Sequence, residues 1–474
     1  MNRRDFLKDS AKIAAVAAVS STANAFAGTA AAEEKKGEAP AAGEGTSVAE
    51  ELQALEAPQE PQPQPSGEKL IISAPMLQNY AETSMGVAFA VSDMANGFVS
   101  YSESPDMRDA VTVKCGGFRV TDMNDKVMLV RLTGLKPATR YYYTIGADRI
   151  SYKGGYAMKI LGTEKDERVY SFRTAGKKAD PHFCVINDTH AKWETFDLLT
   201  KKLAVLAPSC VIWNGDASNV EESIDSQVEI FLNPPVTTKD FASEIPYLFS
   251  PGNHDSRGMA NRHIERVWMF RQNEERSPRD WDLGRNFAVR MGNVAMIGLD
   301  TAEDKLDTNP LFAGLFSSKA YREAQTLWLK DALKRPEIAS APYLVAFCHI
   351  PLFDPDPTAN PGDVAPADKD PRYTTDFAHW QRTCANMWGP LLKKAGCQLV
   401  ITAHQHKYRY DAPDKERGWA QIVGGGPHMR ETSYPTIVEG KVEKGKLGIT
   451  VHNIFTGQVQ ETFSFAPRRR RRSE

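Results

Sequence analysis

Nine side chains of metal-binding type sit in five short motifs between residues 188 and 406. The motifs are Asp188-Thr189-His190, Gly215-Asp216, Gly252-Asn253-His254-Asp255, His349 and His404-Gln405-His406. Carboxylates, a carboxamide and imidazoles are hard-to-borderline donors, the mixture that first-row metals prefer. A calcium site would draw mostly on carboxylate and carbonyl oxygens, not on several imidazoles. In extended chain, residues two apart point to the same side, so His404 and His406 can present neighbouring rings on one side. No motif is diagnostic alone. Asp-x-His is a common turn, Gly-Asn-His-Asp can be an Asx turn, and a lone histidine after an apolar strand is usually a satisfied strand-end residue. The weight lies in the ordered set.

The elements that must position these groups are legible around them. Phe183–Asn187, Val211–Asn214, Tyr247–Ser250, Val294–Leu299, Tyr343–Phe347 and Leu399–Thr402 read as buried strands. Helical periodicity runs through Trp193–Leu206, Glu222–Leu232 and Tyr321–Leu333. Asp188 and Asp216 lie about one β-α-β unit apart. Each motif directly follows a strand, and in an open α/β sheet such residues collect along the carboxyl edge, where ligands bind.

The order D-x-H, G-D, G-N-H-[DE], a lone His after a strand and G-H-x-H resembles that of calcineurin-like metallophosphoesterases. The resemblance implies an α/β (α+β) four-layer metallophosphoesterase sandwich over residues 180–466. It also implies a metal-dependent, acid-phosphatase-like phosphoric ester hydrolase with two Fe, Zn or Mn ions, in which metal-activated hydroxide attacks phosphorus. Asp188, His190 and His406 would hold the first metal, Asn253, His349 and His404 the second, and Asp216 would bridge them. His254 would assist the leaving alcohol, with Asp255 orienting it. With so few anionic ligands the loaded cluster stays net positive and attracts a small phosphate ester. Phosphomonoesters are the expected substrates; phosphodiesters or nucleotides, or a non-catalytic extracytoplasmic binding role, are the alternatives. Two departures stand out. Ala403 replaces the usual Gly, which is tolerated if φ stays negative. Asn219 stands where purple acid phosphatases place a metal-binding Tyr, and His190 where they lack a histidine, so no tyrosinate-to-iron colour is expected.

Residues 69–175 read as an all-β sandwich, with alternating strands near 86–91, 98–101, 126–132 and 140–145. Leu135-Lys136-Pro137-Ala138-Thr139-Arg140-Tyr141 resembles the L-x-P-x-T-x-Y segment of fibronectin type III domains, which implies a tyrosine corner closed by the Tyr141 hydroxyl. Such a domain ahead of a phosphoesterase resembles the layout of purple acid phosphatases. Because it carries no ligand motif, it is expected to be a spacer or a minor wall of the cleft.

Met1-Asn2-Arg3-Arg4-Asp5-Phe6-Leu7-Lys8 resembles a twin-arginine export signal, here taken as residues 1–27. It implies the twin-arginine translocase as a partner and a periplasmic or secreted protein. The apolar run Lys12–Val19 is too short to span a bilayer, so no membrane anchor is expected after cleavage. Residues 28–68 have almost no bulky apolar side chain and read as a disordered tether, and 467–474 as a basic tail. A formal net charge of −2 over 474 residues gives no global attraction to nucleic acid. Cys184, Cys210, Cys348 and Cys397 lie in or beside apolar runs and read as small hydrophobes, not disulfide partners. The stretch Pro351–Arg382, rich in Pro and Asp, lies between two ligand motifs and must border the site. Of the remaining histidines, His428 in Gly426-Pro427-His428 stands nearest to a role.

Overall fold

The computed structural model describes residues 68–115, 125–154, 156–270, 283–355 and 371–468, with backbone alone for 371–382. The export-signal and tether segments, residues 356–370 of the Pro- and Asp-rich stretch and the end of the basic tail lie outside the described residues. Pro65–Glu474 is one compact unit.

Eight strands open the described chain: β1 (Met76–Gln78), β2 (Ser84–Ala90), β3 (Ala95–Ser102), β4 (Val111–Lys114), β5 (Val127–Thr133), β6 (Arg140–Tyr152), β7 (Met158–Lys165) and β8 (Tyr170–Arg173). Alternation along β6 turns Tyr141, Tyr143 and Ile145 into the core, where Phe172 of β8 packs on both tyrosine rings. The Lys136 backbone N–H donates to the Tyr141 hydroxyl at 2.9 Å, so the expected corner is formed. β3, β4, β6, β7 and β8 make one sheet. β1, β2 and β5 lie opposite and do not end as a separate sheet. β1 pairs in parallel with the later strand Tyr247–Phe249 through Gln78 and Tyr247, so they continue into the C-terminal region.

That region contains β9 (His182–Ile186), α1 (Trp193–Leu206), β10 (Cys210–Trp213), α2 (Ile224–Phe231), β11 (Tyr247–Phe249), β12 (Phe287–Met291), β13 (Val294–Leu299), α3 (Ser318–Ala332), α4 (Pro336–Ala339), β14 (Tyr343–Cys348), α5 (Pro371–Ala395), β15 (Leu399–Thr402), β16 (Arg409–Asp411), β17 (Ala420–Val423), β18 (Thr436–Glu443), β19 (Lys446–Asn453) and β20 (Val459–Phe465). A nine-stranded sheet runs β20-β19-β18-β9-β10-β11-β1-β2-β5, and a six-stranded sheet runs β12-β13-β14-β15-β17-β16. The sheets pack face to face, with Val185, Ile212 and Leu248 of the first and Val345, Phe347 and Ile401 of the second in one core. The Phe183 and Phe347 rings meet edge-on at 5.9 Å across the interface. On the outer face of the first sheet, Phe196 of α1 stacks on Trp213 of β10 at 5.0 Å. α3 and α5 cover the second through Trp328, Leu329, Trp388 and Leu392. Helix, sheet, sheet, helix gives the expected four layers, preceded by the all-β region. All six cysteines are free and all but Cys115 are buried, in keeping with their reading as small hydrophobes. No described helix is long and apolar enough to cross a membrane.

Polar stitching holds the shared sheet together. Gln78 donates to the Val267 carbonyl at 3.0 Å and accepts from the Met269 N–H at 2.9 Å, both buried. Tyr143 donates its hydroxyl to the Ser243 carbonyl at 2.6 Å. The β-rich region is therefore built into the same sheet as the site, not hung beside it as a spacer. Gln78→Leu would strand two buried backbone groups, and an unpaired buried group costs about 1–3 kcal/mol. Urea unfolding should show a loss of at least that size; an unchanged midpoint would mean the Gln78 bonds add nothing to the hold between the two regions.

Candidate metal centre

β9, β10 and β11 are adjacent and parallel in one sheet, and β14 and β15 in the other. Their carboxyl ends deliver Asp188, Asp216, Asn253, His349 and His404 to one place. Short backbone bonds close the loops on each other: Asp188 N–H to Gly215 O at 3.0 Å, His190 N–H to Asp216 O at 3.0 Å and Ala403 N–H to His349 O at 2.7 Å. The motif glycines are there for closeness. A Cβ on Gly215 (φ +82°) would lie 2.4 Å from His349 Nδ1, and one on Gly252 would lie 2.3 Å from Asp216 Oδ1. Any side chain at either position would force the strand ends apart.

Two donor groups result. Asp188, His190, Asp216 and His406 form one; Asp216, His349 and His404 form the other, each with ligand atoms within 4.8 Å of one another. Asp216 is common to both. Asn253 joins the second, its Oδ1 lying 3.0 Å from His404 Nδ1. All these residues are buried except His406, which is partly exposed. Each carboxylate is split between scaffold and centre. Asp188 Oδ2 accepts the His404 N–H at 3.0 Å, while Oδ1 lies 3.4 Å from His406 Nε2. Asp216 Oδ1 accepts the His254 N–H at 3.0 Å, while Oδ2 lies 3.0 Å from His349 Nε2 and 3.5 Å from His190 Nε2.

Ring orientations are fixed from behind, as metal-ligating histidines require. His349 Nδ1 donates to the Asn214 carbonyl at 2.9 Å, which leaves the Nε2 lone pair of a neutral ring facing the centre. His190 Nδ1 donates to Asn219 Oδ1 at 2.8 Å, and Asn219 returns its amide to the His190 carbonyl at 3.2 Å, which settles which way that amide points. Asn219, noted above as the missing tyrosine, thus orients an added histidine.

The residues fit a metal pair. Asp188 Oδ1 is buried and makes no hydrogen bond, and the buried His349 Nε2 meets Asp216 Oδ2 at 3.0 Å as an ion pair. His190 Nε2 and His406 Nε2 face each other at 3.1 Å, a contact that needs a proton or a cation between them. Burial raises the pKa of Asp216, but His349, His254 and His190 hold it well below the ordinary carboxylate range. Burial also presses His349 down, yet Asp216 and Asp188 lift it to about 10. The carboxylates call for positive charge, and imidazolium supplies it where a metal ion does not.

Around the centre, one expectation changes. Asp255 does not orient His254. Its carboxylate accepts the Asp216 N–H at 2.7 Å, the Gly252 N–H at 2.8 Å and the Ser218 N–H at 3.1 Å. A buried carboxylate goes where backbone donors are, and here it braces the two glycine-containing loops from below. Arg257 lies against His254 instead, with Nη1 3.1 Å from Nε2. Arg257 in turn grips Glu303, and Asp304 Oδ2 lies 3.8 Å from His404 Nε2. No motif marked these three residues; the available signal was an acidic pair a few positions after the strand Val294–Leu299, on the same carboxyl edge. Ala403 has no positive φ, so it needs no glycine; the left-handed conformations fall on His404 (φ 70°) and His406 (φ 55°). Gln405, between them, donates to Asp354 and accepts from Arg409 Nη1 at 2.6 Å, tying that turn to the chain leaving β14. His428 lies 6.4 Å from His406, ring to ring. His182 and His452 both bond Glu439 and belong to a separate buried polar cluster.

Two donor groups sharing Asp216, at the meeting edge of two sheets, are what the fold and these side chains define. Comparison with known proteins places them. Residues 181–408 match the family model described as calcineurin-like phosphoesterase, and residues 74–174 match that of the purple acid phosphatase N-terminal domain. The chain therefore carries a calcineurin-like phosphoesterase domain behind a purple acid phosphatase N-terminal domain, and it is a metal-dependent phosphoester hydrolase. The structure is similar to purple acid phosphatase PPD1 from yellow lupin (Lupinus luteus) seeds, at 14% identity and a TM-score of 0.54, over 83% of this chain and 74% of that one. It is similar to PhoD at 13% identity and a TM-score of 0.57, over 87% of this chain and 92% of that one. At such identities the likeness speaks for the fold. No curated protein sequence matches the chain.

Two measurements probe the centre. Asn219→Leu removes the acceptor behind His190, and loss of such a partner typically weakens metal binding about 10–100-fold. Competition titration against a chelator should show that loss; unchanged affinity would remove Asn219 from the site. The second concerns protons. In metal-free protein His349 keeps its proton up to about pH 10, whereas a ligand must be neutral. Loading Zn at pH 8 should therefore release protons to an indicator dye, and apparent affinity should climb with pH. Release-free, pH-independent binding would contradict the arrangement.

Proposed function

We propose that the protein is an exported phosphomonoesterase in which Asp188, His190 and His406 hold one metal ion, Asn253, His349 and His404 hold a second, and Asp216 is shared. The observation that carries this reading is the pair of buried donor groups with Asp216 in common. Two bound Fe, Zn or Mn ions would supply Lewis-acid polarisation of the phosphoryl oxygens and a water of lowered pKa. The protein's own groups do the rest. His254 is anchored by its backbone N–H on Asp216, and its ring stands 5.0 Å from that of His190. From there it donates a hydrogen bond or a proton to the departing oxygen. At the rim, His428 is held below its ordinary pKa by burial and by the nearby charges of Arg430, His406 and Lys192. Arg430 and Lys192 beside it favour the dianion of a monoester over the monoanion of a diester.

Assay of nitrophenyl phosphate, bis-nitrophenyl phosphate and nucleotides with Mn, Zn and Fe should rank the monoester first. Faster diester turnover under every metal would overturn the monoester reading. His254→Ala should cut turnover by about 10²–10⁴-fold, more for alkyl than for nitrophenyl phosphate, because a stable phenolate needs little protonation. Equal losses would leave His254 an electrostatic role only.

Export through the twin-arginine translocase suits an enzyme that must fold around its metals first, since that route moves folded proteins. Arg3→Lys with Arg4→Lys should hold active enzyme in the cytoplasm. Normal export of that variant would assign the signal to another route.

A further inference from the structure

We propose that Arg257 is a positioning residue for His254, locked in place by the buried Glu303 and Asp304; the inference rests on the role given to His254 above. Arg257 follows the short 3-10 turn His254–Ser256, and its side chain is 17% exposed. Its guanidinium forms a fork on Glu303, with Nε donating to Oε2 at 2.9 Å and Nη2 to Oε1 at 2.8 Å. Nη2 also reaches Asp304 Oδ1 at 3.3 Å. Two parallel bonds fix the plane of the guanidinium as well as its place.

The remaining nitrogen, Nη1, points at the His254 ring, 3.1 Å from Nε2 and 3.5 Å from Nδ1. An atom this close to both ring nitrogens lies off the lone-pair axis of either, so the guanidinium fixes the ring by packing against it.

The acidic pair is matched by neighbouring cations. Glu303 and Asp304 are 0% and 2% exposed, and adjacent carboxylates are seldom buried unless matched by charge and hydrogen bonds. Arg257 matches one, and Lys305, with Nζ 2.8 Å from Asp304 Oδ1, matches the other. Arg322 of α3 holds the segment by donating to the Thr301 carbonyl at 3.2 Å. The far oxygen of Asp304 lies 3.8 Å from His404 Nε2. One buried pair thus lies beside a donor of the metal centre and, through Arg257, holds the ring that stands over it.

The test is a double-mutant cycle on the full-length, metal-loaded enzyme. Turnover of nitrophenyl and alkyl phosphate, KM and metal content are measured for H254A, R257M, R257K and H254A/R257M. R257M is expected to lower kcat for alkyl phosphate about tenfold or more and for nitrophenyl phosphate less, with KM and metal content held within about twofold. R257K should recover only part, because an ammonium cannot make the fork. In the H254A background, R257M should change kcat less than about twofold, since two groups acting as one unit are not additive. The same loss in both backgrounds would show that Arg257 acts on the substrate directly and would overturn the proposal, as would R257M at wild-type turnover. If R257M fails to fold, E303Q takes its place, keeping the shape of the acid while weakening the fork, with the same expectations. Wild-type turnover in H254A would instead sink the role of His254 itself.

Discussion

Two carboxylates held out of water set the terms for the rest of the structure. Asp188 and Asp216 are 0% and 1% exposed, and each turns one oxygen inward to the ring nitrogens of facing histidines. Buried charge survives only where it is paired and hydrogen-bonded. The scaffold supplies the second condition through backbone N–H groups of His404 and His254, which take the outward oxygens. The first condition is left to imidazolium or to metal. That division makes the centre a cation trap: the outward oxygens of Asp188 and Asp216 are satisfied by backbone donors, and the inward ones are left for a cation.

Assembling the trap strains the chain. Asp188, His190, Asp216, His404 and His406 all have positive φ, between 45° and 70°. Such conformations cost a non-glycine residue of order 1–3 kcal/mol each and persist only where surrounding structure dictates them. Here the dictation comes from strand ends whose register is set by two packed sheets, and from Asp255, which bonds the backbones of Gly252, Asp216 and Ser218 together. The N-terminal β region contributes from a distance. By adding β1, β2 and β5 to the sheet that carries Asp188, Asp216 and Asn253, it stiffens the platform without touching the ligands.

The side chains that gather into the two donor groups stood out in the sequence because each combines a chemical type with a position just past a buried strand, and both are local properties. The strands themselves were legible for the same reason, as was the tyrosine corner at Tyr141. What escaped is what depends on contacts between distant segments. Arg257 and Glu303 are 46 residues apart and belong to no periodic pattern. Asp255 was misjudged because a sequence neighbour of His254 invites a role beside it, whereas the backbone donors that claim it come from separate loops. Asn219 could be seen to differ from a tyrosine, but not that it would brace His190. The strands from β16 onward follow the last ligand motif, where no chemistry drew attention to them, although β18 pairs directly with β9 and so helps hold Asp188 in place.

The central claim is that Asp216 bridges two metal ions held by otherwise separate donor groups. Diffraction recorded at the absorption edge of the loaded metal tests it most directly. The account predicts two anomalous peaks about 3.5–4 Å apart, one beside His190 and His406, the other beside His349, His404 and Asn253, with Asp216 reaching both. A single peak in fully active enzyme, or two peaks that Asp216 does not join, would contradict it.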